Sequence, residues 1–539
     1  MARSKSLVPA VNGRAVTADH ERPARSGGYL RDTRTGIIAT RPAYLRESRD
    51  DIRVAWRRAA ALSLDLIHNS GRLKGAVDQV LADTVGVELI LNPQPDLSGL
   101  GFSDQEATEW IRLVKKEWKF WAWNPRECDL RGKFTFPQLV DIALRWDIAY
   151  GEVTGAFEYM RRAERKRYGI KTGTKLCLIP PTRLVQETNE FSGLVQGVFH
   201  DANGRPTHYR FNERLDGVWR TRDYASRDGA GRPQVLHVFD PVDATDVRGI
   251  SKLVAGLRRH IQHETLQDST LQQAILQTVL AVVLTSPEPS SQAFEALEQL
   301  KDMNTGESTE LFNDFLGYFG GALDRAKDGK ISFSGDPQVS HLAPGESLEL
   351  KSVSAPGPNY QPFEASLSRD TARAIGITYG GLTMDHTDAT YSSVRMENSS
   401  IWPIVMRRRE RIAAPICQAV YESWLDEEIG EGRIPFKAGY EAFAANRDRV
   451  CWAQWQGPAK PSADDFKSAR ASSERLENGT SSIEIETADL GHDADEVFEQ
   501  RERMHKRYTE AGMRSPYEPI AGRDRSDPSP PKQPQKEGS

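Results

Sequence analysis

Apolar residues between positions 51 and 80 recur at helical intervals (Val54, Leu62, Leu66, Ile67, Leu73, Val77, Val80), which predicts helix through that stretch. Residues 92–98 (NPQPDLS) read as a loop. Ser103, Asp104 and Glu106 then open a helix carrying Trp110, Val114, Trp118 and Trp121. A further helix is expected over Phe136–Tyr150, ended by Gly151. Strand-like segments follow at 156–161, 175–180, 193–199, 207–211 and 234–239, with Asn203-Gly204 as a hairpin turn. After Arg248-Gly249 the period becomes helical again through Leu253, Leu257, Ile261, Leu266, Leu271, Ile275 and Val279, with no proline from 250 to 283. The polar face of that helix is rich in glutamine and threonine. At 1.5 Å per residue it makes a rod of about 50 Å, long for one compact domain and suited to packing between subunits. Pro287 and Pro289 stop it. A mixed segment over 290–358 leads to a helix at 361–375 and a loop at 378–390 (TYGGLTMDHTDAT). A long helix at 391–424 follows, in which Pro403 and Pro415 predict kinks. Residues 440–510 read as helical and charged.

The 539 residues leave room for three or four domains. With 71 Lys+Arg against 76 Asp+Glu the net charge is −5, and the pI of 6.2 excludes a protein that holds DNA by bulk positive charge. Residues 1–45 and the tail from Ser515 are polar and Pro/Gly-punctuated, the composition of flexible chain. The N-terminal stretch lacks the apolar core of a signal peptide. The most apolar run, 274–284, falls short of the roughly 20 residues that span a bilayer, so no membrane role is expected. Cys128, Cys177, Cys417 and Cys451 stand far apart, which fits free thiols in a reducing compartment.

Catalytic motifs are missing: there is no phosphate-binding loop, no HExxH and no GxSxG. His260, His263 and Glu264 lie close together, but on a long amphipathic helix. His237, Asp240, Asp243 and Asp246 offer oxygen ligands, yet in a setting that favours turn and capping roles. Asp385-His386-Thr387-Asp388 lies in a glycine-flanked loop with no evident catalytic partner. The aromatic cluster Trp110, Trp118, Phe120, Trp121 and Trp123 reads as core rather than a base-stacking platform. The basic run 161–167 reads as a solvated hairpin tip rather than a phosphate site. No cofactor, metal or enzymatic activity is expected.

A set of ordered motifs resembles the portal proteins of lambda-like tailed bacteriophages. They are His237-Val238-Phe239-Asp240-Pro241, Arg248-Gly249, Leu266-Gln267 and Leu271-Gln272-Gln273-Ala274-Ile275. Further along come His341-Leu342-Ala343-Pro344-Gly345-Glu346-Ser347-Leu348, Phe363-Glu364-Ala365-Ser366-Leu367 with Arg369, Gly376-Ile377-Thr378-Tyr379 and Tyr391-Ser392-Ser393-Val394-Arg395. The resemblance covers most of 50–430 and rests on the order and spacing of these motifs rather than on any one of them.

It implies an α+β portal-type subunit: a flexible arm (1–45), a mixed α/β wing (46–246), stem helix 1 (247–284), a clip insertion (285–358), stem helix 2 (359–376), a tunnel loop (377–391), a kinked long wing helix (392–435), a helical crown (436–512) and a disordered tail (513–539). Such a subunit would close into a homo-oligomeric ring, usually of twelve, at one capsid vertex of the virion, assembled in the host cytoplasm. Double-stranded DNA would pass through it without sequence specificity. Terminase, a head-tail connector or adaptor and the major capsid protein would be its partners. Thr383, Met384, Asp385, His386, Thr387 and Asp388 would face DNA, with Gly380 and Gly381 as a hinge. Arg407, Arg408, Arg409 and Arg411 are candidates for subunit-interface pairing. The competing readings are a metal-dependent nucleic-acid-processing enzyme built on Asp240 and Asp243, and a monomeric DNA-binding protein using 161–167.

Overall fold

The computed structural model describes residues 45–280, 357, 359–387, 389–461 and 465–518. The 1–44 arm, the clip segment but for residue 357, and the tail from 519 lie outside the described residues.

Two helices, α1 (Ser48–Asn69) and α2 (Gly71–Thr84), adjoin at Ser70, whose hydroxyl caps α2 by accepting from Leu73 N. After strand β1 (Ile90–Pro93) comes α3 (Asp104–Ala122), opened by a capping box between Ser103 and Glu106. Its buried face carries Trp110, Val114, Trp118 and Trp121, whereas Phe120 and Trp123 are exposed. The core reading of the tryptophan cluster holds for the buried three. Trp118 has ring centroids 5.1–5.7 Å from Trp121, Phe136, Trp424, Tyr421 and Trp455. Truncating such a residue costs about 3–5 kcal/mol.

The short α4 (Pro125–Cys128) and α5 (Phe136–Tyr150) precede an antiparallel sheet of β2 (Glu152–Tyr159), β3 (Thr174–Leu178) and β8 (Val235–Phe239), in the order β3-β2-β8. The 161–167 run is not a bare hairpin tip. It forms α6 (Arg162–Tyr168) and buries Arg165, which pairs with Glu427 at 3.2 Å and Glu431 at 2.8 Å. A second sheet runs β4 (Leu194–Val195), β5 (Val198–His200), β6 (Pro206–Leu215) and β7 (Val218–Ala225). The Asn203-Gly204 turn joins β5 to β6 as expected. Strand β7 was not anticipated: Asp216 (φ 50°) and Gly217 (φ 81°) make the tight turn that pairs Leu215 with Val218.

Helix α7 (Val254–Leu280) starts four residues later than expected; residues 281–283 lie outside the described residues. Then come α8 (Tyr360–Ile375), a one-turn helix α9 (Tyr379–Thr383) inside the expected loop, and α10 (Tyr391–Arg408). Helix α10 runs through a π-helical segment, Arg409–Ala413, into α11 (Ala414–Gly430). Pro415 has no N–H for the preceding turn and its ring crowds the Arg411 carbonyl; widening the helix just before it relieves that crowding.

Beyond Gly430 the all-helical expectation is corrected. Short helices α12 (Gly439–Ala445) and α13 (Arg447–Val450) lead to β9 (Ala453–Gln456), which pairs antiparallel with β1, Leu91 opposite Trp455. Phe443, Val450, Cys451 and Trp455 join the same core as Trp118. Helices α14 (Asp465–Glu477), α15 (Ile483–Asp489) and α16 (Ala494–Glu510) follow; α14 and α16 bury no side chain. No described helix is long and apolar enough to cross a membrane.

Candidate functional site

Helices α7 and α8 form an antiparallel hairpin. Gly256 lies beside Ala374, where a Cβ on the glycine would come within 3.0 Å of the alanine methyl. Further out along both helices, Gln267 Nε2 donates to Glu364 Oε1 at 3.3 Å. Between these points a polar cluster ties the hairpin to α2. Arg72 pairs with Glu364 at 2.9 Å and donates to Ser368 Oγ at 2.8 Å. His263 Nε2 is 3.2 Å from Glu364, and His260 Nε2 is 3.2 Å from Ser70 Oγ. The two imidazoles are only 2% and 1% exposed for His260 and His263. Burial pushes both pKa values down, which favours the neutral rings as hydrogen-bonding ties. Among the described residues no group of three or more His, Cys, Asp or Glu is placed to hold a metal ion.

The root of the hairpin is fixed by a buried ion pair. Arg248 Nε donates to both oxygens of Glu152, at 2.9 and 3.1 Å, and Nη2 also binds that carboxylate. The guanidinium further donates to the carbonyls of Pro181 (3.0 Å) and Leu184 (3.3 Å) and lies 4.3 Å from the Trp56 ring. His237 Nε2 sits 3.2 Å from Glu152 Oε2. Burial alone would raise the Glu152 pKa; Arg248 and His237 outweigh it and hold the carboxyl below its usual value. Beside this pair the backbone passes so closely that a Cβ on Gly249 would fall 1.9 Å from the Gly151 carbonyl oxygen. Arg248-Gly249 was prominent in the sequence. Its partner Glu152 was not, because nothing local in a β-strand start marks a residue paired across 96 positions.

The hairpin closes onto the segment singled out as a loop. Thr378 caps α9 by accepting from Gly381 N at 2.9 Å, and Met384 ends the turn in the left-handed region (φ 55°), its N–H reaching Gly380 O at 2.8 Å. Gly380 and Gly381 are therefore helical, and neither has a positive φ. Met384 is 72% exposed, and Asp385, His386 and Thr387 are exposed too. Asp385 Oδ1 accepts from Thr387 N at 3.0 Å and from its hydroxyl at 2.5 Å, bonds that hold the Asp385 carboxyl below its usual pKa. Asp388 lies outside the described residues. With α2, α8 and α10 this segment lines an open cleft of about 1160 Å³.

The four arginines of α10 and the π segment separate. Arg407 and Arg411 are exposed and both reach Asp240, at 3.2 and 3.1 Å. Arg408 donates to Ile375 O at 3.0 Å. Arg409 is 5% exposed and donates to the carbonyls of Thr84, Asp83 and Pro458 at 2.9, 3.3 and 3.3 Å. The expectation that all four pair across a subunit boundary is corrected for Arg408 and Arg409, whose guanidinium groups bond carbonyls of their own chain. Asp240 is committed to cations and Asp246 to the backbone N–H groups of Val242 and Asp243, both at 2.8 Å. Asp243 and Asp246 thus hold the 242–246 turn, while Asp240 joins Lys252, Arg407 and Arg411.

The helical hairpin is thus rooted in a buried ion pair and leads to the exposed 384–387 segment and helix α10. Residues 34–409 match the phage portal proteins of the lambda family, and the chain belongs to that family. Portal protein B of Escherichia phage lambda is 26% identical over 481 residues, covering 86% of each chain. The portal protein of Escherichia phage N15 is 25% identical over 475 residues, again 86% of each. Among solved structures, a chain from the virion of a native gene transfer agent (GTA) particle aligns with 14% identity and a TM-score of 0.35, covering 84% of this chain and 97% of that one. A chain from the neck of an empty GTA particle gives 13% identity and the same TM-score of 0.35, over 68% of this chain and 82% of its own.

Proposed function

We propose that twelve copies of this chain close into a ring at one capsid vertex, through which double-stranded DNA enters and leaves. The observation that carries this reading is the α7/α8 hairpin, anchored at its root by Glu152–Arg248 and running directly into the exposed 384–387 segment and α10. The hairpin serves as the stem. The α/β body, with 392–435, serves as the wing, and 285–358 as the clip that docks terminase and later the head-tail connector. The strand pairing of β9 with β1 and the core they share support assigning 439–456 to the wing, with the crown beginning at α14. The ring is a structural part of the virion that also meets the major capsid protein and performs no turnover of its own.

A channel must let DNA slide. Each phosphate held by a cation adds affinity and slows transport. The 383–388 segment carries two aspartates and no lysine or arginine, so a ring of such segments repels phosphate instead of gripping it. Deleting 383–388 should leave ring assembly intact and impair packaging or retention of DNA. Heads filled and sealed normally by that deletion would remove the segment from the mechanism. On this reading Arg407 and Arg411, which are exposed although each reaches Asp240 of its own chain, are the two arginines accessible to acidic groups of an adjacent subunit.

A further inference from the structure

The two glycines of α9 have no conformational reason to be glycine. Both are helical, and glycine at a helical position costs about 1 kcal/mol relative to alanine. At Gly380 the reason is steric. Gly380 is buried, and a Cβ built on it would lie 2.7 Å from His386 Cε1, too close for a Cβ unless the ring shifts, and 3.1 Å from His386 Nδ1. The His386 ring rests on the glycine Cα. The stretch from Gly380 to Ala389 is also tied by backbone and hydroxyl bonds: Met384 N to Gly380 O at 2.8 Å, Asp385 N to Thr383 Oγ1 at 3.2 Å, and Ala389 N to His386 O at 3.1 Å.

We infer that Gly380 is a steric seat for His386, and that this contact positions the exposed segment 384–387 against α9. Gly380 acts through His386 and is a positioning residue; it is not a hinge. The two roles make opposite predictions for one substitution. If Gly380 is a hinge, Gly380→Ala stiffens the segment, because alanine favours the helix. If it is a seat, the new methyl displaces the imidazole and frees the segment while α9 itself persists. The bearing of this on DNA rests on the channel reading; the seat itself does not.

The test is hydrogen–deuterium exchange by mass spectrometry on the full-length chain. Gly380→Ala should speed exchange in peptides covering 384–390 by at least fivefold and leave 379–383 no faster. His386→Ala, at an exposed position that threatens no core, should give the same release. The double variant should exchange no faster than His386→Ala alone, since the methyl then has nothing to displace. Slower or unchanged exchange in Gly380→Ala, or additive effects in the double variant, would overturn the seat. DNA retention in filled heads is read separately: a freed segment with normal retention leaves the seat standing and counts against the channel role of 384–387.

Discussion

Changing Glu152 to glutamine tests the anchor at the hairpin root. The substitution preserves shape and one acceptor oxygen but removes the counter-charge of a guanidinium that is wholly buried. Arg248 keeps its bonds to Pro181 O, Leu184 O and the Trp56 face, so the structure has no route to hydrate it. Breaking a buried pair by removing one partner costs about 3–5 kcal/mol. Because glutamine still accepts one bond, the lower end applies, about 3 kcal/mol, or more than a hundredfold in the folded-to-unfolded ratio. Arg248→Met should cost as much, by stranding the carboxylate. The pair Glu152→Gln with Arg248→Met leaves no buried charge and should cost at least 1.5 kcal/mol less than the two singles together. Equilibrium urea unfolding of the unassembled chain, followed by tryptophan fluorescence, reads this directly, since Trp56 lies against the site. A single-variant cost under 1 kcal/mol, or additivity of the two, would refute the argument. The same pair sets a pH dependence. The folded carboxyl titrates below its ordinary 4.5, so its stabilisation is complete above pH 4.5 and drains as the pH falls through the lowered folded value. Glu152→Gln should flatten stability over that acidic window.

Three further outcomes follow from the contacts. Arg409→Ala unpairs two carbonyls at the α2 terminus and that of Pro458 and should cost about 1–3 kcal/mol, whereas Arg407→Ala, an exposed pair, should stay under 1 kcal/mol in the same urea titration. The last helix docks on α3 through a charge ladder, Arg112–Glu499, Lys115–Asp493 and Lys119–Glu496. Lys115→Glu, or 1 M salt, should therefore increase protease cleavage between 457 and 464 several-fold, and an unchanged rate would contradict ionic docking. Burial pushes the Cys128 thiol up to about 12 and raises Cys417 and Cys451 as well. Cys177, only partly buried, should be the first of the four to react with a thiol reagent under native conditions.

Local patterns were legible where one element decides its own fate. The α3 capping box, the tryptophan stripe, the Gly151 terminator, the Asn203-Gly204 turn and the two hairpin helices all follow from spacing within a few residues. What the sequence hid is nonlocal. Strand β9 is four residues long, and its reason for being extended is β1, more than 350 positions earlier. The buried member of the basic run, Arg165, is chosen by Glu427 on a distant helix and by Glu431 just past its end. The Asp216-Gly217 turn was as readable as Asn203-Gly204, but the mostly polar strand β7 gave no apolar alternation to flank it. In the candidate site, periodicity could place 378–390 between two helices but could not tell a glycine needed for a backbone angle from one needed for a neighbour's ring. The four arginines looked alike in sequence; only packing divides Arg409, sealed under α2, from Arg407 and Arg411 at the surface.

The central claim is tested most directly by the native mass of the purified chain, by light scattering or native mass spectrometry, with negative-stain images of the same sample. The account predicts closed rings with a central hole, about 720 kDa for twelve copies of a 60.3 kDa chain. A monomer that binds duplex DNA with steep salt dependence, or cuts it, would contradict the channel reading.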